Sequence, residues 1–198
     1  MILVSKLSPD FTAPAILNDG SIIQNYNFKK QNSSHQGCVL FFWPLDFTFV
    51  CPTELIEFNA LYSEFQKRQV TLIGVSIDSV FSHEKWRNTN IQKGGIGPMQ
   101  FTMISDIKRD IQKLYGVEHP DLGVALRATF FIDKNWIIRH QSINDLPIGR
   151  NIKEILRIID AVKFHEKNGE VCPANWEKGE PGIETSQKGI SLYLKKYL

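Results

Sequence analysis

The residues best suited to chemistry lie in Pro44-Leu45-Asp46-Phe47-Thr48-Phe49-Val50-Cys51-Pro52-Thr53-Glu54. Cys51 stands where a helix is expected to begin. Pro52 suits a first helical position, since its missing N–H would be unpaired there anyway. Glu54 falls in the first turn, where the helix dipole favours negative charge. Apolar residues then recur at Leu55, Phe58, Leu61, Tyr62 and Phe65, predicting an amphipathic helix over Thr53–Gln66. An ordinary thiol, with pKa near ~8.5, is roughly 3% thiolate at neutral pH, and one at about 6 is roughly 90% thiolate. A helix N-terminus with its unpaired N–H groups favours that anion. On position alone, Cys51 is either an activated nucleophile or a small buried hydrophobe.

Two further cysteines, Cys38 and Cys172, make an odd total with wide spacing. That excludes a dense disulfide framework, and the absence of C-x-x-C excludes dithiol and zinc motifs. Cys38 sits inside an apolar run and is expected in the core. His83, His119, His140 and His165 show no ligand spacing, so no metal is expected. Gly94-Gly95-Ile96-Gly97-Pro98 lacks the Lys-Ser/Thr of a phosphate loop, and Pro98 has no N–H to donate. No nucleotide cofactor is expected there.

The 198 residues carry a formal net charge of +2, too little to point to nucleic acid or a membrane surface. Hydrophobic residues make up 42% and charged residues 22%, enough for one domain with a substantial core and an appendage. The first nine residues lack the pattern of a signal peptide, and no apolar run approaches a membrane span. A soluble cytoplasmic protein is expected.

The elements follow from periodicity. A short strand or hairpin surrounds the Asn18-Asp19-Gly20 turn, and a polar loop covers Lys29–Gly37. Continuous apolar runs at Cys38–Trp43 and Val70–Ile77 suit strands covered on both faces. Ser79 caps a helix over Val80–Asn88. Phe101–Ile104 forms a strand, Ile107–Tyr115 a helix, and Thr129–Asp133 with Trp136–His140 a hairpin. After a loop at Asn144–Gly149, Ile152, Ile155, Leu156, Ile159 and Val162 share one face of a helix that Asn168-Gly169 ends. Alternating strands and helices predict an α/β thioredoxin-like fold, with a central mixed sheet flanked by helices. The domain is expected over 1–168 and a C-terminal arm over 169–198, helical at Ser186–Lys196. The arm's Val171, Trp176, Leu192, Tyr193 and Leu194 need somewhere to pack, and a partner subunit would supply it.

Taken together, the chain resembles a typical two-cysteine peroxiredoxin of the AhpC type over nearly its whole length. Pro44–Pro52 matches the P-x-x-x-T-x-x-C signature, and Gly169–Ala174 matches the segment around the resolving cysteine. Arg127–Asp133 and Asn144–Arg150 match two further segments. The resemblance implies a thiol peroxidase without cofactor or metal. In it Cys51 attacks peroxide, Thr48 and Arg127 donate hydrogen bonds, and Pro44 shields the thiolate. Glu54, Arg150 and Trp86 support the site. Cys172 from the other subunit of a dimer resolves the resulting sulfenic acid, a thioredoxin or AhpF-like flavoprotein returns the electrons, and dimers assemble into a decamer. Gly94-Gly95-Ile96-Gly97 and Tyr193-Leu194 vary the G-G-L-G loop and Y-F pair of overoxidation-sensitive members, implying intermediate sensitivity. The same resemblance permits a ring-forming holdase in which Cys51 only senses peroxide. A general disulfide reductase is disfavoured by the missing C-x-x-C, and a Cys–His hydrolase by the lack of a recognisable His partner.

Overall fold

A computed structural model of the chain describes residues 1–34 and 36–197. His35, in the expected Lys29–Gly37 loop, and Leu198, the last residue of the expected arm, lie outside them. Two compact units result, Met1–Ile152 and Lys153–Leu198.

The first unit is built on one seven-stranded mixed sheet. Its strands are β1 (Thr12–Ile16), β2 (Ile22–Asn27), β3 (Gly37–Phe42), β4 (Thr71–Ser76), β5 (Thr102–Ser105), β6 (Arg127–Asp133) and β7 (Ile138–Asn144), in the spatial order β2-β1-β5-β4-β3-β6-β7. The central β5, β4 and β3 run parallel, and the flanking pairs are antiparallel. Every residue of β3 and β6 is buried, which is why both lack hydrophobic alternation. Gly74 in β4 permits a close approach. A Cβ there would lie 2.7 Å from the Trp43 ring and 2.8 Å from the Phe41 ring.

The helices of this unit are α1 (Phe28–Gln31), α2 (Cys51–Ala60), α3 (Tyr62–Lys67), α4 (Val80–Arg87) and α5 (Asp110–Leu114). Three differ from expectation. The loop expected at Lys29–Gly37 begins with the turn of α1, which the Asn27 side chain caps through Lys30 N–H. The single helix expected over Thr53–Gln66 starts two residues earlier and breaks at Leu61. At the break, Gln100 Nε2 donates to the Asn59 carbonyl at 3.3 Å, and the Asn59 side chain bonds the backbone of Pro98 and Gln100. The helix expected from Ile107 begins only at Asp110. Arg109 adopts a left-handed φ of 61°, and the Asp106 carboxylate caps Ile111 and Gln112 instead.

Antiparallel register determines where the chemistry collects. Phe41 of β3 faces Thr129 of β6, and Arg127 faces Asn144 of β7. The end of β3, the start of β6 and the end of β7 therefore share one edge of the sheet. The chain leaving β3 there enters α2, so Cys51 sits beyond the carboxyl end of a central parallel strand, the usual ligand edge of such sheets.

The second unit holds most of α6 (Ile152–Asn168) and all of α7 (Gln187–Tyr197). Gly169, at φ 72°, follows α6. Val171 and Ile183 exchange both backbone hydrogen bonds, at 3.0 and 2.9 Å, closing the intervening residues into a loop. Trp176 is 1% exposed. It packs within its own unit, against Phe164 at 5.0 Å between ring centres, and needs no partner subunit for burial. Val171, Leu192 and Leu194 remain exposed.

Candidate active site

Cys51 is the first residue of α2 and is fully buried. Pro52 is therefore the second helical residue. Val50 precedes the helix without a side-chain cap; Pro52 has no N–H, and the Thr53 and Glu54 N–H groups both donate to the Val50 carbonyl, at 3.1 and 3.3 Å.

Arg127 approaches from the start of β6. Its Nη1 donates to Cys51 Sγ at 3.3 Å and to Glu54 Oε2 at 3.0 Å, and its Nε donates to the Leu146 carbonyl at 2.6 Å. The guanidinium is thus fixed on both sides of the sulfur. A buried cationic donor of this kind stabilises a thiolate by a charge-assisted hydrogen bond.

Glu54 lies one turn into α2, and four donors meet its carboxylate. Arg127 Nη1 and Arg150 Nη2 reach Oε2 at 3.0 and 2.7 Å, and Arg150 Nε and backbone N–H each reach Oε1 at 2.9 Å. Burial pushes this carboxyl up. Arg150, then Arg127, more than offset that, so it titrates below its ordinary range. Arg150 is equally tied. Its Nη1 donates to the carbonyls of Phe42 and Ala128 at 2.9 Å each, and its guanidinium lies over the stacked Phe41 and Phe58 rings at 5.4 and 5.6 Å. Cys51, Arg127, Glu54 and Arg150 form one contiguous network.

The other expected residues surround it. Thr48 lies in the loop before α2, half-buried, and its hydroxyl donates to the Leu45 carbonyl at 3.0 Å. Pro44 is buried at the start of that loop. Trp86 of α4 is buried. Its Nε1 donates to the Gly94 carbonyl at 2.9 Å, its carbonyl accepts from Ile96 N at 3.2 Å, and its ring lies 5.8 Å from that of Phe47. Trp86 therefore joins the Gly94–Gly97 loop to the loop that delivers Cys51. Gly94 and Gly97 adopt φ of 81° and 73°, and Ile96 is buried. Cys172, Tyr193 and Leu194 lie in the second unit. Cys172 is half-buried, and the Tyr193 ring meets that of Tyr197 at 4.7 Å. All three thiols are free, and burial pushes the Cys38 thiol far up.

Sequence reasoning missed the anchor of the Pro44–Val50 loop. Asp46 is buried and accepts from Trp43 Nε1 at 3.0 Å and Ser82 Oγ at 3.0 Å, with His83 Nδ1 at 2.7 Å. Asp46 N–H in turn donates to Asp78 at 2.9 Å. Burial and then the neighbouring Asp46 charge raise the Asp78 carboxyl. His83 and Asp46 are 37 residues apart, so no local spacing announces the contact. Trp43 just before the motif and Asp46 inside it were the one available signal.

Among the described residues, no cluster of His, Cys, Asp and Glu could hold a metal, and no helix is long and apolar enough to cross a membrane. A buried thiol at a helix start, with a buried guanidinium donating to it, is an arrangement suited to thiol chemistry. Residues 4–141 match the AhpC/TSA family, and residues 161–196, which include Cys172, match the C-terminal domain of 1-Cys peroxiredoxin. The chain belongs to the AhpC/TSA family, the peroxiredoxin thiol peroxidases. It is 60% identical over 197 residues to alkyl hydroperoxide reductase C of Buchnera aphidicola subsp. Acyrthosiphon pisum, covering 100% of both chains. It is 44% identical to Peroxiredoxin-1 of Gallus gallus, covering 98% of this chain and 96% of that one. The reduced 2-Cys peroxiredoxin of Plasmodium vivax superposes with a TM-score of 0.94 at 44% identity, covering 98% of this chain and 100% of that chain.

Proposed function

We propose that the chain reduces hydrogen peroxide and organic hydroperoxides, peroxynitrite included, through Cys51. The observation that carries this reading is the single Arg127 Nη1 shared by Cys51 Sγ and Glu54 Oε2 in a buried site. The thiolate attacks one peroxide oxygen in line. An S–O bond forms, the O–O bond breaks, and the departing oxygen leaves as water or an alcohol after taking a proton, or, from peroxynitrite, within nitrite. Negative charge develops on that oxygen, and donors fixed beforehand stabilise it without reorganising. Arg127 supplies such donors, and the Thr48 hydroxyl supplies one that rotates to suit. Pro44 closes the pocket against water. Glu54, Arg150 and Trp86 hold these groups in place.

The Cys51 sulfenic acid then condenses with Cys172 of the partner subunit, and a thioredoxin or an AhpF-like flavoprotein reduces the disulfide. Residues 1–168 form the peroxidase domain, and residues 169–198 form the arm that brings the second thiol. Exposed aromatic rings at Phe47 and Phe49, the latter 94% exposed, support assembly of dimers into a decamer. The protein acts in the cytoplasm. The Gly94–Gly97 loop and Tyr193-Leu194 give it intermediate sensitivity to sulfinic acid formation. Mass spectrometry of Cys51 across a peroxide titration checks this, and no sulfinic acid at large excess would refute it.

Peroxide consumption coupled to a thioredoxin system tests the central claim. Cys51→Ser is expected to abolish turnover. A variant that still consumed peroxide would overturn the assignment, whereas chaperone activity alone would survive it. On non-reducing gels, Cys172→Ser is expected to lose the disulfide-linked dimer.

A further inference from the structure

One face of α6 receives the loop that carries Cys172. Residues 157, 160, 161 and 164 stand at helical spacings of 0, 3, 4 and 7, which places them on one stripe. Each meets the 172–178 segment. Arg157 Nη1 donates to the Trp176 carbonyl at 2.8 Å. Asp160 lies 3.7 Å from Lys178 Nζ. The Ala161 carbonyl accepts from Cys172 Sγ at 3.5 Å, and the Phe164 ring packs on Trp176.

The Phe164–Trp176 packing is a separate apolar hold, and of the three polar contacts Arg157 makes the strongest. Glu154 holds its other side by two bonds, Nε to Oε2 at 2.6 Å and Nη2 to Oε1 at 2.7 Å. This bidentate grip fixes the guanidinium plane, so Nη1 is aimed at the loop at little further entropic cost. The Asp160–Lys178 contact is long, with the lysine 69% exposed, and such pairs contribute little. The Cys172 bond is the weak donation of a thiol. Burial pushes the Cys172 thiol up, and the Arg157 charge draws it part of the way back.

The loop itself is closed independently of α6. Besides the Val171–Ile183 exchange, Trp176 Nε1 donates to the Glu180 carbonyl at 3.0 Å and Glu177 N–H to Glu180 Oε2 at 2.8 Å. It is able to leave α6 as a body without unravelling.

We propose that Arg157 is a positioning residue for the resolution step, a latch that pins the Cys172 loop to α6 and limits how often Cys172 is free to reach oxidised Cys51. This rests on the reading of Cys172 as the resolving thiol. In that step the Cys172 sulfur attacks the Cys51 sulfenic sulfur. The S–S bond forms, the S–O bond breaks, and the thiol proton leaves with the hydroxyl as water. The competing step spends a second peroxide, which oxidises the same sulfenic acid to sulfinic acid and departs as water or alcohol. A latch that delays the first step favours the second.

Arg157→Lys separates the latch from the charge. Lysine keeps a cation near Cys172 but lacks the planar fork that serves Glu154 and the Trp176 carbonyl together. Pre-reduced protein is mixed with hydrogen peroxide and quenched in acid at intervals. Sulfenic acid, disulfide and sulfinic acid are then counted by intact mass, with Cys172→Ser run in parallel. The variant is expected to form sulfenic acid at the parent rate and disulfide about ten-fold faster, from loss of one charge-assisted hydrogen bond. Its sulfinic fraction per turnover is expected to fall correspondingly. A disulfide rate within two-fold of the parent, or a slower one, would overturn the proposal. So would an equal fall in the sulfenic step, which marks a general structural role. If Cys172→Ser still forms a Cys51 disulfide, the underlying reading of Cys172 fails, whatever Arg157→Lys does.

Discussion

Replacing Glu54 by glutamine keeps the side chain's shape and removes its charge. Four donors converge on the two carboxylate oxygens, two on each. A glutamine offers one oxygen and one amide. With Nε2 in the Oε2 position, it opposes Arg127 Nη1 and Arg150 Nη2. With Nε2 in the Oε1 position, it opposes Arg150 Nε and the Arg150 backbone N–H. Either orientation turns two hydrogen bonds into donor–donor contacts. Bonds to charged groups contribute about 1.5–3 kcal/mol each, so the loss is about 3–6 kcal/mol. That matches the cost of about 3–5 kcal/mol for breaking a buried ion pair. In a chain of this size the melting temperature should fall by on the order of 10 °C. Arg127 keeps its Leu146 anchor in both orientations, and in the first it loses the bond that sets its angle to Cys51. A small misplacement of this sort costs about 10²-fold in rate. Thermal unfolding by circular dichroism at one fixed protein concentration measures the first effect, and single-turnover peroxide consumption measures the second. A variant melting within 2 °C of the parent with an unchanged rate would refute the claim that this carboxylate organises the site.

Three other outcomes follow from the same geometry. Arg127→Lys retains a charge but not a fork for Cys51, Glu54 and Leu146, and is expected to lower the peroxide rate by about 10²–10³-fold with the fold intact; a loss under ten-fold in stopped-flow assays would contradict this. Because the folded-state Glu54 carboxyl titrates below its ordinary value, its stabilising contribution is complete above the unfolded pKa near ~4.3 and is lost as pH falls through the depressed folded value. Urea melts from pH 6 down to pH 3 should show that acid loss in the parent and a shallower one in Glu54→Gln. Gly74→Ala drives a methyl into the Phe41 and Trp43 rings and is expected to destabilise by about 1–3 kcal/mol; a denaturation midpoint equal to the parent's would show that the rings move aside freely.

Features with local causes were legible in sequence. Cys51 at a helix start, the continuous apolar strands and the face of α6 each leave a mark within a few residues. The association of Arg127, Glu54 and Arg150 with Cys51 came from family motifs, since no spacing rule links positions so far apart. What escaped depends on distant partners. The break at Leu61 is tied to Gln100, some forty residues on. The short α5 follows from Arg109 turning left-handed while Asp106 caps beyond it. Trp176 looked like an interface residue because its own-chain partners, Phe164 and Glu180, are visible only once the loop closes.

The placement of Arg127 by strand register carries a cost. β6 is buried along its whole length, so a one-residue slip of β6 against β7 would bury much the same apolar surface of β6, and burial alone discriminates poorly against it. The pins lie at the far end of the hairpin. Asp133 Oδ1 accepts from Asn135 and Ile137 N–H at 2.8 and 3.0 Å, and Trp136 takes a left-handed φ of 64° between them. Seven residues of strand, roughly 20 Å, separate that turn from the sulfur. A slip there would swing the guanidinium to the opposite face of the sheet. The fidelity of a peroxide site is thus guarded by an aspartate that never meets peroxide. Asp133→Ala should lower turnover while leaving every group around Cys51 chemically unaltered, and full activity in that variant would locate the guard elsewhere.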